Sequence, residues 1–115
     1  MDIEQFRDYC LSLEGVSEKM PFQGFFRNAK SILVFYINNK MFCLFDIDSF
    51  ESITIKCLNS EVETLKEKYI AIGKPFNLSH KHWIRVKFNG DLSDAEIKLM
   101  VKSSYNLVSS SLIHK

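Results

Sequence analysis

The 115-residue sequence predicts an α+β domain, an antiparallel sheet carrying its helices on one face. Three observations lead there. Asp2-Gln5, Ser60-Glu63 and Ser93-Glu96 each have the spacing of a helix-opening capping box and precede apolar residues at helical intervals. Two β-rich runs are separated by Asn38-Asn39 alone, a pair that tolerates the positive φ of a two-residue hairpin turn. The stretches 52–57 and 81–88 alternate apolar and polar residues, as half-buried strands do. Hairpin-linked strands with segregated helices argue for two layers. The expected order is α-β(3)-α-β(2)-α, with one strand of the second pair uncertain, in a single domain over residues 1–115.

The first helix is expected from Asp2, with Ile3, Phe6, Cys10 and Leu13 on its inner face and Gly15 as the stop. Val16–Ser31 reads as a loop with room for one short strand. It carries Pro21, Gly24 and the cluster Phe22, Phe25 and Phe26. Ile32–Ile37 and Lys40–Ile47 are apolar on both faces, which predicts central strands covered on part of each side. In Ser52–Cys57 the inward residues are Ile53, Ile55 and Cys57, and Ser52, Thr54 and Lys56 point outward. The second helix should begin at Ser60 and bury Val62, Leu65 and Tyr69. Gly73, Pro75 and Asn77 mark irregular chain, with a short strand at most near Phe76–Leu78. The strand His82–Phe88 is closed by Asn89-Gly90. The third helix has the longest inward stripe: Ile97, Met100, Val101, Ser104, Tyr105, Val108 and Leu112.

The totals bound the function classes. Hydrophobic residues make up 46% and charged residues 25%, a globular rather than disordered composition. No apolar run approaches the ~20 residues of a membrane-spanning helix, and no membrane association is expected. The start Met1-Asp2-Ile3-Glu4 lacks the basic residues of a signal peptide. Cys10, Cys43 and Cys57 are odd in number and sit in apolar patterns, so buried, reduced thiols and a cytoplasmic location are expected. The net charge of +1 conceals segregation: residues 19–45 hold four bases and no acid, and 68–90 hold five bases and no acid. Such blocks are either solvated faces or a basic binding surface.

The chain resembles the MmcQ/YjbR family over nearly its whole length. The resemblance is carried by Tyr9-Cys10-Leu11 with Leu13-Glu14-Gly15, Pro21-Phe22, Lys40-Met41-Phe42 and Lys56-Cys57. It continues through His80-Lys81-His82-Trp83 with Val86, and Ser104-Tyr105 with Leu107-Val108. It implies a two-layer α-β(3)-α-β(2)-α fold, similar to type III secretion chaperones and described as CyaY-like, with a DNA-binding role and no enzymatic activity. Where relatives often place a small polar pair after the tryptophan, this chain has Ile84-Arg85, and its Gly24–Lys30 loop is longer than usual.

The expected functional surface is the outward face of the last strand. Lys81, Trp83, Arg85 and Lys87 share that face, Lys56 joins from the neighbouring strand, and Lys74 and Asn77 extend it. Cations meet phosphates, and a flat ring stacks on a base for roughly 1–3 kcal/mol. Against this stands a structural reading in which Trp83 packs under Lys and Arg stems or the Phe-rich loop. DNA is therefore the expected partner, bound with weak sequence specificity because the third helix spends its stripe on the core. The alternative is a protein or peptide partner using the Phe22/Phe25/Phe26 loop and the sheet. A monomer is favoured.

Other constellations read as structural. His80 and His82 form an H-x-H pair, but a metal needs further ligands and only Cys57 offers a thiol, so no metal or other cofactor is expected. Asp46 and Asp48 read as turn formers before Ser49. Asp2, Glu4 and Asp8 suit the positive end of a helix dipole. No phosphate loop, nucleophile elbow or C-x-x-C motif is present, and no enzymatic activity is expected.

Overall fold

The computed structural model describes residues 1–21, 31–75 and 78–111. In chain order the elements are α1 (Ile3–Ser12), β1 (Val16–Lys19), β2 (Ile32–Ile37), β3 (Lys40–Asp46), β4 (Ser52–Lys56), α2 (Asn59–Lys68), β5 (Ile72–Gly73), β6 (Trp83–Lys87) and α3 (Asp94–Ser111). The strands form one antiparallel sheet in the order β1-β2-β3-β4-β6-β5. The α+β prediction holds, with a fourth strand ahead of α2. None of the described helices is long and apolar enough to cross a membrane.

Local chemistry explains most boundaries. Asp2 and Gln5 cap α1 reciprocally, the Gln5 N–H donating to Asp2 Oδ1 at 2.8 Å and the Asp2 N–H to Gln5 Oε1 at 3.0 Å. Ser93 and Glu96 do the same for α3, at 3.1 and 3.0 Å. Asn38 and Asn39 have φ of 52° and 66°, the left-handed pair of a type I′ hairpin between β2 and β3. Gly15 has φ +78°, a conformation that favours glycine, and an added Cβ would crowd the tip of Ile37 at 3.0 Å from Cδ1.

Several expectations are corrected. The capping box at Ser60 does not form: α2 begins at Asn59 after Leu58, which lends no side-chain cap. There the Leu58 carbonyl accepts the Glu61 N–H at 2.9 Å, so a backbone bond closes the turn. Val16–Lys19, in the stretch read as a loop with room for one short strand, is that strand: the edge strand β1, paired along its length with β2. The short strand after α2 is Ile72–Gly73; Leu78 lies outside any strand, and Phe76 and Asn77 lie outside the described residues. Finally, β6 begins at Trp83 rather than Lys81 or His82. The Ser79 carbonyl accepts both the His82 and Trp83 N–H groups, at 3.3 and 3.1 Å, which curls residues 79–82 into a turn.

All three helices cover one face. Phe6 and Cys10 of α1, Val62 of α2, and Ile97, Val101 and Val108 of α3 pack with Phe35, Cys43, Ile53, Ile55, Ile84 and Val86 of the sheet. A β-bulge sharpens this packing. Phe35 pairs with Cys43 but Tyr36 with Met41, leaving Phe42 as the extra residue, and Phe42 and Cys43 are both fully buried. Ser104 serves the bulge from α3. Its hydroxyl donates to the Phe42 carbonyl at 2.6 Å and accepts the Lys56 N–H at 2.9 Å, so a buried polar side chain ties helix, bulge and β4 together.

Candidate nucleic-acid interface

The register of β4 and β6 assembles the candidate surface. Ser52 faces Lys87, Thr54 faces Arg85 and Lys56 faces Trp83 across the antiparallel pair. Directly paired residues share a face, and the alternate residues Ile53, Ile55, Ile84 and Val86 are the ones buried beneath the helices. The second face thus holds three cations, two hydroxyls and one indole, and none of these six side chains is acidic. On the outer edge strand, Gly73 pairs with Arg85. A Cβ built on Gly73 meets none of the described residues within 4 Å, so β5 itself leaves the flank of Arg85 open.

Trp83 lies on the predicted face, yet it is not a stacking platform. Only 9% of it is exposed, and Lys56 Nζ sits 5.8 Å from the ring centroid. The half-buried Lys56 thus sets its ammonium over the ring, in line with the structural reading of the sequence that packs Trp83 under a lysine. Nor is the second face bare elsewhere: Val34, which shares it, is fully buried. The expectation of an open sheet face around Trp83 is therefore corrected.

The other predicted residues divide. Arg85 is half-buried and Lys87 exposed, both on the predicted face. Lys81 is exposed but belongs to the turn before β6, not to the strand face. Lys74 is exposed directly after β5, beside the Gly73–Arg85 pair. Asn77, like Phe22, Phe25 and Phe26, lies outside the described residues. Among the described residues the ion pairs are Met1–Asp94, Arg7–Glu18 and Lys66–Glu63, and none involves Lys56, Lys74, Lys81, Arg85 or Lys87. Of these five, Lys56 lies over the Trp83 ring, and the other four form no ion pair among the described residues. Ser52, Thr54 and Gly73 enter the surface only through strand pairing, which spacing in the sequence does not reveal.

The remaining chemistry is occupied by structure. Asp46 Oδ1 accepts the Ser31 hydroxyl at 2.9 Å and the Asp48 N–H at 2.8 Å, the turn-forming role expected of this pair. His80 and His82 are exposed in the turn before β6. The His82 carbonyl accepts the Cys57 N–H at 2.8 Å, bringing the two backbones together as spacing did not suggest. Even so, no three His, Cys, Asp or Glu side chains among the described residues group as a metal site. Cys57 borders an apolar groove of about 540 Å³ between α2 and α3, with Leu58, Leu65, Ile84 and Met100. Burial, and secondarily the Glu61 carboxylate, pushes its thiol pKa up, which disfavours the thiolate.

A model of the YjbR family matches residues 11–107. No protein of curated function matches the chain. The crystal structure of a Deinococcus radiodurans protein with a DUF419 domain is similar at 24% identity and a TM-score of 0.81. The likeness covers 93% of this chain and 78% of that one. The crystal structure of a Pseudomonas syringae protein is similar at 25% identity and a TM-score of 0.75, over 93% of this chain and 98% of that one.

Proposed function

The chain belongs to the YjbR family, and we propose that it binds nucleic acid, without catalysing a reaction, through the cationic second face of β4 and β6. The observation that carries this reading is the register that aligns Lys56, Arg85 and Lys87 with Ser52 and Thr54 and with no acid among them. Cations neutralise phosphates and release counterions, while hydroxyls donate to phosphate oxygens. With Trp83 buried, affinity comes from the backbone charge rather than from stacking on that ring, so sequence specificity is weak. The DNA-binding role expected from the family resemblance agrees with this. Three free, buried thiols support a reducing compartment, for which we propose the cytoplasm.

Fluorescence anisotropy with labelled single-stranded and duplex DNA tests the reading. Binding at low salt that weakens steeply at moderate salt is the expected result. A protein or peptide partner, the alternative the sequence allows, would seat apolar side chains and keep its affinity as salt rises. Absence of DNA binding at low salt would remove the nucleic-acid reading.

A further inference from the structure

The second face ends in a depression of about 320 Å³ where β4 begins and β6 closes. Its chemistry is mixed in a particular way. Arg85 and Lys87 bring two positive charges, Ser52 a hydroxyl and Asn89 an amide, and the half-buried Phe50 forms an aromatic wall. Glu51 adds a single carboxylate at the same opening. The strands fix this geometry: Ser52 and Lys87 are direct partners, and the Phe88 N–H donates to the Glu51 carbonyl at 3.0 Å. Phe50 is held by Phe88, with ring centroids 4.5 Å apart, and by Phe45 at 5.0 Å, so the wall is anchored in the core.

We propose that this depression binds a nucleoside monophosphate, either free or as the phosphorylated end of a strand. The inference deepens the nucleic-acid reading and rests on it for the strand-end case. A guanidinium fork beside an ammonium and a hydroxyl suits the three oxygens of a terminal phosphate better than the two free oxygens of a diester. The volume lies at the small end of the ~300–1,000 Å³ typical of ligand sites, the scale of one nucleotide rather than a duplex. An aromatic wall accepts a base or sugar face. Among the described residues Arg85 and Lys87 form no ion pair that a phosphate would have to displace. Glu51 opposes a phosphate, so its removal should strengthen binding.

The test is an amide NMR titration of the whole chain with thymidine monophosphate and, separately, thymidine. Shifts centred on Ser52, Arg85, Lys87 and Asn89 with the monophosphate alone are expected. Lys87→Gln, an exposed change, should weaken that binding by roughly fivefold, and Glu51→Gln should tighten it by a similar factor. A strengthening is not what a merely structural role for Glu51 produces. Identical responses to thymidine and its monophosphate, or no response to either, would overturn the site. Anisotropy with terminally phosphorylated and unphosphorylated oligonucleotides separates the two sources. Tighter binding of the phosphorylated strand assigns the site to strand ends, whereas equal affinities beside a positive monophosphate titration assign it to free nucleotides. If no oligonucleotide binds but the monophosphate does, the site stands and the nucleic-acid reading falls.

Discussion

Strands β4 and β6 have two faces that differ in kind, although the same ten residues build both. On the helix side Ile53, Ile55, Ile84 and Val86 are between 0 and 2% exposed. On the other side Ser52, Thr54, Arg85 and Lys87 keep their polar groups in or near water, and the charges pair with nothing among the described residues. The first face is spent on stability. The second contributes the buried Trp83, but Arg85 and Lys87 add little, because exposed unpaired cations contribute little to folding. Charges that the fold does not need are where a charged ligand can be met without cost to the core.

That division can be broken one face at a time. The largest effect should come from Ile84→Ala, which leaves a cavity beneath α3 and should cost about 3 kcal/mol of stability in a denaturant titration. Its affinity for DNA, measured while folded, should be unchanged. Next comes the double variant Arg85→Gln/Lys87→Gln, with the opposite pattern. Its unfolding midpoint should stay put while single-stranded DNA binding at low salt falls by roughly thirtyfold, as loss of two phosphate contacts implies.

Ser104→Ala is intermediate and links the faces. It strands the Phe42 carbonyl and the Lys56 N–H, so stability should fall by about 1–2 kcal/mol. Thermal unfolding would measure this.

Gly73 offers a finer handle, since a Cβ there, beside Arg85, meets none of the described residues within 4 Å. Gly73→Lys should raise DNA affinity by roughly fivefold and Gly73→Glu lower it by a similar factor, with near-native circular dichroism in both.

The smallest effect concerns acid. Backbone N–H groups of Ala71 and Ile70 hold the Asp91 carboxyl below its ordinary value, and the Arg7 hydrogen bond does the same for Glu18. A depressed carboxyl contributes stability that is full above its unfolded pKa and is lost as pH falls through the folded one. Stability should therefore decline below about pH 4, and Asp91→Asn should make that decline shallower.

What was legible in the sequence was what local chemistry decides. Asn38-Asn39 needs no tertiary partner to turn, and the boxes at Asp2 and Ser93 close within three residues. The alternation from Trp83 to Lys87 identified both faces correctly. What failed depended on distant chain. Ser60-Glu63 has the right spacing, but the chain leaving β4 already turns at Leu58. The positions of the edge strands, one at Val16–Lys19 inside a stretch allowed a short strand and one at Ile72–Gly73, are defined by their neighbours β2 and β6, not by their own short patterns. The exposure of Trp83 could not be read because its neighbours, such as Lys56 with its ammonium over the ring, come from across the sheet. For the same reason the openness beside Arg85, set by a glycine on another strand, leaves no trace in the local sequence.

The central claim is that the second face of β4 and β6 holds nucleic-acid phosphates. The most direct test compares the salt dependence of single-stranded DNA binding in the native chain and in Arg85→Gln/Lys87→Gln. Plotted as log affinity against log salt, the slope should become shallower by about 1.4 when two phosphate contacts are lost. An unchanged slope and affinity, with both proteins folded, would contradict the claim and place any binding elsewhere on the molecule.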